Sequence, residues 1–173
     1  MKVEELFKTQ PYQIYQDLDG CLVAFNEFAE THMGINPYEW DIDKKAKSNF
    51  WKRVNRWVKD GKPFFSAMEL KSDAKTLWEY IEHYDPIILS ATGHIKNAEQ
   101  EKREWIKRHI GERYSNTAIL VKASQDKAEY ATPYSILIDD RTKSIDPWVA
   151  KGGIGILHVS AEDTIEQLNS FGL

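Results

Sequence analysis

Residues 12–20 read YQIYQDLDG, a short run studded with large apolar side chains that ends in two carboxylates and a glycine. Residues 12–18 are too few for a helix and read as a buried strand, which puts Asp17, Asp19 and Gly20 at its carboxyl end. Like charges gathered there are costly without compensation. A bound cation supplies it, and hard carboxylate oxygens suit Mg²⁺, which takes one or two carboxylates together with water and substrate phosphate oxygens. The competing reading is an Asp-Gly turn whose acids cap the loop.

Four more apolar runs follow, at residues 86–89, 118–121, 135–138 and 155–159. Amphipathic stretches lie between them, at residues 73–83 and 98–110; in the second, Trp105, Ile106, His109 and Ile110 recur at helical spacing. The alternation predicts an α/β fold on a Rossmann-like parallel sheet, with ligands at the carboxyl ends of the strands. One interval breaks the rhythm. Roughly residues 27–68 read as a small helical cap inserted after the first strand into a single catalytic domain spanning 1–173. Its main helix is predicted at residues 44–59, with Phe50, Val54, Trp57 and Val58 on one face and Gly61 as the stop. Residues 161–173 read as a terminal helix capped by Ser160.

Two further strand ends carry candidate chemistry. Residues 86–89 lead into Ser90-Ala91-Thr92-Gly93, where hydroxyls and backbone N–H groups before a helix can cradle a phosphate, although Ser and Thr in such places also serve as caps. Residues 135–138 lead into Asp139-Asp140-Arg141. If the first and fourth strands are neighbours, one Mg²⁺ is held by Asp17, the backbone carbonyl of Asp19 and Asp139, with Asp140 behind them. Phosphoryl transfer also needs positive charge on the phosphate oxygens. In VKASQDKAEYA, Lys127 is the first choice and Lys122 the second.

The net charge of −4 argues against general electrostatic binding of nucleic acid. The lone Cys21 cannot form an internal disulfide, the opening residues are polar, and no apolar run is long enough to span a bilayer, so a cytoplasmic protein with no membrane partner is expected. A homodimer is left open.

The order DxDG, strand ending in Ser, Lys, strand ending in Asp-Asp closely resembles the haloacid-dehalogenase superfamily. A closer resemblance, to the 5′-deoxyribonucleotidases, is carried by DLDGCLVAFNEFA at residues 17–29, PFF at 63–65, EKREWIKRHIG at 101–111 and ILIDDR at 136–141. The resemblance implies a Mg²⁺-dependent phosphatase in which Asp17 attacks phosphorus and forms an aspartyl phosphate, with Asp19 as general acid and base. It also implies a phosphate site at Ser90, Ala91, Thr92 and Lys127, and a nucleoside monophosphate as substrate. Cap aromatics would close over the base, with Phe64, Phe65, Trp40 and Trp51 as candidates. The chain departs from that family in carrying Ser90-Ala91-Thr92 where Thr-Ser is common. Two other readings are a polynucleotide 3′-phosphatase and a non-catalytic nucleotide-binding protein.

Overall fold

A computed structural model describes residues 12–37 and 42–173. Five parallel strands form one sheet in the order β3-β2-β1-β4-β5. They are β1 Gln13–Gln16, β2 Ile87–Ala91, β3 Ile119–Val121, β4 Ser135–Asp139 and β5 Ile154–Leu157. Each lies within two residues of its sequence prediction, because short apolar runs flanked by polar turns leave little freedom in where a buried strand sits.

The period of two along each strand divides the core into two layers. Ile14, Ile88, Ile136 and Ile156 face one way, into a large cluster. That layer is completed by α3 (Ala74–Ile81), α4 (Ala98–His109), α7 (Ala161–Ser170) and the residues inserted after β1. Tyr15, Leu89 and Leu137 face the other way. They meet Ile145 and Trp148 of α6 (Thr142–Ala150) and Tyr130 of a 3-10 segment, Ser124–Tyr130. The short helix α5 (Glu112–Thr117) joins α4 to β3.

The chain leaves the core beyond Val23 and returns at Leu70, and the two feet are stitched by an antiparallel bridge. The hydrogen bonds Ala24 N–H to Glu69 (2.9 Å) and Lys71 N–H to Leu22 (2.9 Å) flank it. Inside this excursion lie α1 (Phe25–Phe28) and α2 (Lys44–Lys59), the latter with the bounds expected from sequence. Asp43 caps α2 by accepting from the Lys45 N–H at 2.8 Å. Phe50 and Val54 are buried, Trp57 and Val58 pack partly buried beside them, and Gly61 takes a φ of +78° after the last turn. Ser160 caps α7 as expected, accepting from the Asp163 N–H. Among the described residues, no helix is long and apolar enough to cross a membrane.

Candidate active site

The parallel pairing of β1 with β4 sets Tyr15 opposite Leu137 and Gln16 opposite Ile138, so the acidic pairs that follow emerge side by side. Asp17 and Asp139 continue the parity of Tyr15 and Leu137, toward the layer holding the 3-10 segment. Lys127 rises from that segment between them. Its ammonium lies 2.8 Å from Asp17 Oδ1 and 2.6 Å from Asp139 Oδ2, with only 2% of the side chain exposed. Burial alone would lower the Lys127 pKa, but the two carboxylates raise it well above the ordinary lysine value, so the group stays charged. Lys122, by contrast, is exposed at the cavity edge.

Both oxygens of Asp139 are engaged, since Oδ1 accepts the Arg141 N–H at 2.9 Å while Oδ2 takes Lys127. Asp140 points the other way. Its carboxylate occupies the space above Gly20, where a Cβ would fall 2.0 Å from Oδ2. Donor atoms of Asp17, Cys21 and Asp140 lie within 4.8 Å of one another, and Asp140 Oδ1 is buried without a hydrogen-bond partner among the described residues. In this placement Asp139 anchors the lysine, while Asp17 and Asp140 bring hard oxygens close to one another. Burial and the neighbouring Asp17 push Asp140 up to about 8 and Asp139 up to about 6. Burial likewise pushes the Cys21 thiol well up, which leaves it a poor partner for a hard cation.

The second strand end differs more from expectation. On β2, Ser90 shares the parity of Ile88 and turns toward α4, fully buried and away from the cavity. Its hydroxyl accepts from Lys102 at 3.0 Å. The N–H groups of Thr92 and Gly93 donate to Val121 (2.8 Å) and Lys122 (2.9 Å), and the Thr92 hydroxyl also reaches the Val121 carbonyl at 3.2 Å. These groups extend the sheet, and Ala91 and Thr92 line the cavity.

Lys102 is a buried lysine beside the site that the sequence reading did not single out. It lies 1% exposed on the buried stripe of α4, beside Ala98, Glu101, Trp105 and Ile106. Its ammonium is 2.5 Å from Asp19 Oδ2 and 4.4 Å from the centre of the Phe65 ring. A lysine at a core position of an amphipathic helix was the available signal. Burial raises the Asp19 pKa, Lys102 opposes that, and Asp17 adds to it.

These groups open onto a cavity of about 970 Å³ lined on its cap side by Phe25, Pro37, Trp51 and Phe65. Phe64 is not among the lining residues; it is wholly buried, in edge contact with Phe25, Phe28 and Phe50. Trp40 lies outside the described residues.

Three solved structures share this architecture. A haloacid dehalogenase-like hydrolase from Xanthomonas campestris aligns with a TM-score of 0.56 at 13% identity over 90% of this chain and 84% of its own. A HAD-superfamily hydrolase from Ehrlichia chaffeensis aligns at 0.52 and 12% over 95% and 98%. A HAD hydrolase of family IA, variant 3, from Entamoeba histolytica aligns at 0.51 and 14% over 92% and 88%. The chain has the haloacid-dehalogenase fold. No protein-family model matches the sequence, and no curated protein matches it. In that fold, the sheet end bearing Asp17 is where α/β folds place their ligands.

Proposed function

We propose that the protein is a Mg²⁺-dependent phosphomonoesterase acting through an aspartyl phosphate on Asp17, with deoxyribonucleoside 5′-monophosphates as substrates. The observation that carries the reading is the pairing of two carboxylates with two buried lysines at one sheet end: Asp17 with Lys127 at 2.8 Å, and Asp19 with Lys102 at 2.5 Å. A structural ion pair needs no cavity, whereas Asp17, Asp19 and Lys127 all line one.

Asp17 and Asp140 fit a magnesium ion, together with the backbone carbonyl of Asp19, because they offer hard oxygens and one of them is buried without a partner. When bound, the ion neutralises charge between an anionic nucleophile and an anionic phosphate. Lys127 holds the Asp17 carboxylate in place for attack on phosphorus, through the contact at 2.8 Å. An Oδ of Asp17 forms the new bond to phosphorus while the ester oxygen leaves, taking a proton from Asp19. Asp19 then removes a proton from the water that attacks the phosphorus and frees Asp17. Lys102, buried behind the cavity lining, holds the Asp19 carboxyl in position at 2.5 Å. Phe65 and Trp51 give the leaving nucleoside a flat apolar wall, and stacking on such faces contributes about 1–3 kcal/mol per base.

The test is phosphate release from deoxy- and ribonucleoside 5′- and 3′-monophosphates, a 3′-phosphorylated oligonucleotide and p-nitrophenyl phosphate, in Mg²⁺ or EDTA. The expected result is Mg²⁺-dependent turnover of deoxynucleoside 5′-monophosphates that is lost in Asp17→Asn. Turnover of the oligonucleotide alone would move the function to end repair, and nucleotide binding without turnover would remove the catalytic reading.

A further inference from the structure

The cavity has two unlike halves, and a nucleoside monophosphate accounts for only one. Its floor is the row of strand ends with Asp17, Asp19, Asp139 and Asp140, and no other carboxylate lines it among the described residues. On the side of the inserted segment the wall carries the aromatic rings of Phe25, Trp51 and Phe65, together with Asn26, Lys47 and Asn55. On the opposite side, above the layer of Leu89, Leu137 and Trp148, the wall comes from the residues after β3 and from the start of α6. That wall is polar and basic: Lys122, Ser124, Gln125, Thr142 and Lys143 line it, and no aromatic side chain does among the described residues.

Lys122 and Lys143 are exposed, and neither forms an ion pair with any described residue. The backbone beneath Lys122 is fixed, because its carbonyl accepts the Gly93 N–H at 2.9 Å beside the floor. Lys143 stands at the second position of α6, four residues beyond the Asp139 that anchors Lys127. Arg141, whose backbone N–H donates to Asp139, also lines the cavity. The volume of about 970 Å³ is at the upper end of the range of roughly 300–1,000 Å³ usual for small-molecule sites. With a phosphoryl group on the floor and a base against the aromatic wall, the basic wall is left facing the sugar and whatever it carries.

We infer that the basic wall binds a second phosphate on the substrate, carried on the sugar of the nucleotide whose first phosphate is hydrolysed at Asp17. This rests on the nucleotidase reading and narrows its substrate class. A second phosphate has two sources, a nucleoside 3′,5′-bisphosphate or the first internucleotide linkage of a 5′-phosphorylated chain end. Both present an anionic oxygen group to the two lysines.

The test compares a deoxynucleoside 3′,5′-bisphosphate, its 5′-monophosphate and a 5′-phosphorylated dinucleotide on wild type and on the K122A/K143A double variant. Charge-assisted contacts predict a wild-type kcat/KM about tenfold higher for the bisphosphate than for the monophosphate, and a ratio of about 1 in the double variant. Because the ratio compares two ligands on one protein, a reduced folded fraction does not distort it. A dinucleotide that matches the bisphosphate assigns the second phosphate to chain ends, and one that behaves like the monophosphate assigns it to free nucleotides; either supports the wall. A wild-type ratio of about 1, or one that survives the double substitution, overturns the inference. The same ratio is measured as Kd by calorimetry on Asp17→Asn. Absent turnover with a retained Kd ratio sinks the nucleotidase reading alone, and failure of both nucleotides to bind sinks both.

Discussion

Lys102 donates to Asp19 at 2.5 Å and to Ser90 at 3.0 Å, so one buried ammonium ties the fourth helix to the ends of two neighbouring strands. Its removal leaves Asp19 without the buried cation that positions it. Hydrogen bonds to charged groups are worth about 1.5–3 kcal/mol, so Lys102→Met is expected to lower kcat/KM about 10- to 100-fold. The loss should be similar for a nucleotide and for p-nitrophenyl phosphate, because it acts on the phosphoryl end. Steady-state kinetics with the two substrates decides this, and a loss confined to the nucleotide would place Lys102 in base recognition.

Much of this arrangement was legible in sequence because it rests on local pattern. The strand runs and the stripe Phe50, Val54, Trp57 on α2 are periodic, and DLDG and DDR each sit beside a strand end. What was not legible depends on which face a side chain takes. Asp139 and Asp140 are adjacent, so their side chains point opposite ways, and only the pairing of β4 with β1 decides which meets Lys127. The parity of Leu137 and Ile138 held part of that answer. Ser90 is a similar case: its hydroxyl looked free for phosphate until α4 placed Lys102 against it.

Lys127 neutralises two carboxylates that would otherwise face each other in a dry site. Lys127→Met is expected to destabilise the fold by about 3–5 kcal/mol, the range seen when one partner of a buried ion pair is removed. Adding Asp139→Asn should recover part of that stability without recovering turnover. Urea unfolding of both variants, alongside phosphate release, checks the two effects separately.

The raised carboxyls make stability in EDTA depend on pH with a definite sign. Asp139 and Asp140 hold their protons in the folded protein up to about 6 and about 8, against an ordinary value of 3.8. The folded state therefore binds more protons than the unfolded one. Their stabilisation is full below 3.8 and is lost as the pH rises through about 6 and then about 8. Metal-free Tm should fall from about pH 5 to about pH 9, and Asp140→Asn should flatten the fall. Mg²⁺ competes with those protons, so it should raise Tm more at about pH 8 than at about pH 6. Thermal melts with and without the ion check both trends; equal Mg²⁺ shifts at the two pH values would remove Asp140 from the cation site.

Gly20 has a φ of +80° and lies directly under the Asp140 carboxylate. An alanine there meets two penalties: the left-handed backbone, which costs about 1–2 kcal/mol, and a Cβ in the place of the carboxylate oxygens. The fold can absorb the first, but the second moves Asp140 off its position. Gly20→Ala is expected to weaken Mg²⁺ activation about 10- to 100-fold, the usual scale for displaced support around a metal. The apparent activation constant, measured from phosphate release against Mg²⁺, reads it directly.

Phe64 and Phe65 are neighbours in sequence with opposite fates. Phe64 fills the junction of Phe25, Phe28 and Phe50, while the Phe65 ring faces the cavity under the Lys102 ammonium. The Glu101 carboxylate holds both in place by accepting the N–H groups of Phe64 at 2.7 Å and Ser66 at 3.1 Å. Phe64→Ala should cost about 3–5 kcal/mol of stability, as large-to-small changes in a packed core do, and leave KM unchanged for the protein that remains folded. Phe65→Ala should instead raise KM for nucleotides about fivefold or more, from the loss of about 1 kcal/mol or more of stacking, with little effect on p-nitrophenyl phosphate. Measuring Tm and KM for both variants separates the two roles. A Phe64→Ala enzyme with normal Tm and raised nucleotide KM would mean that the ring reaches the substrate after all.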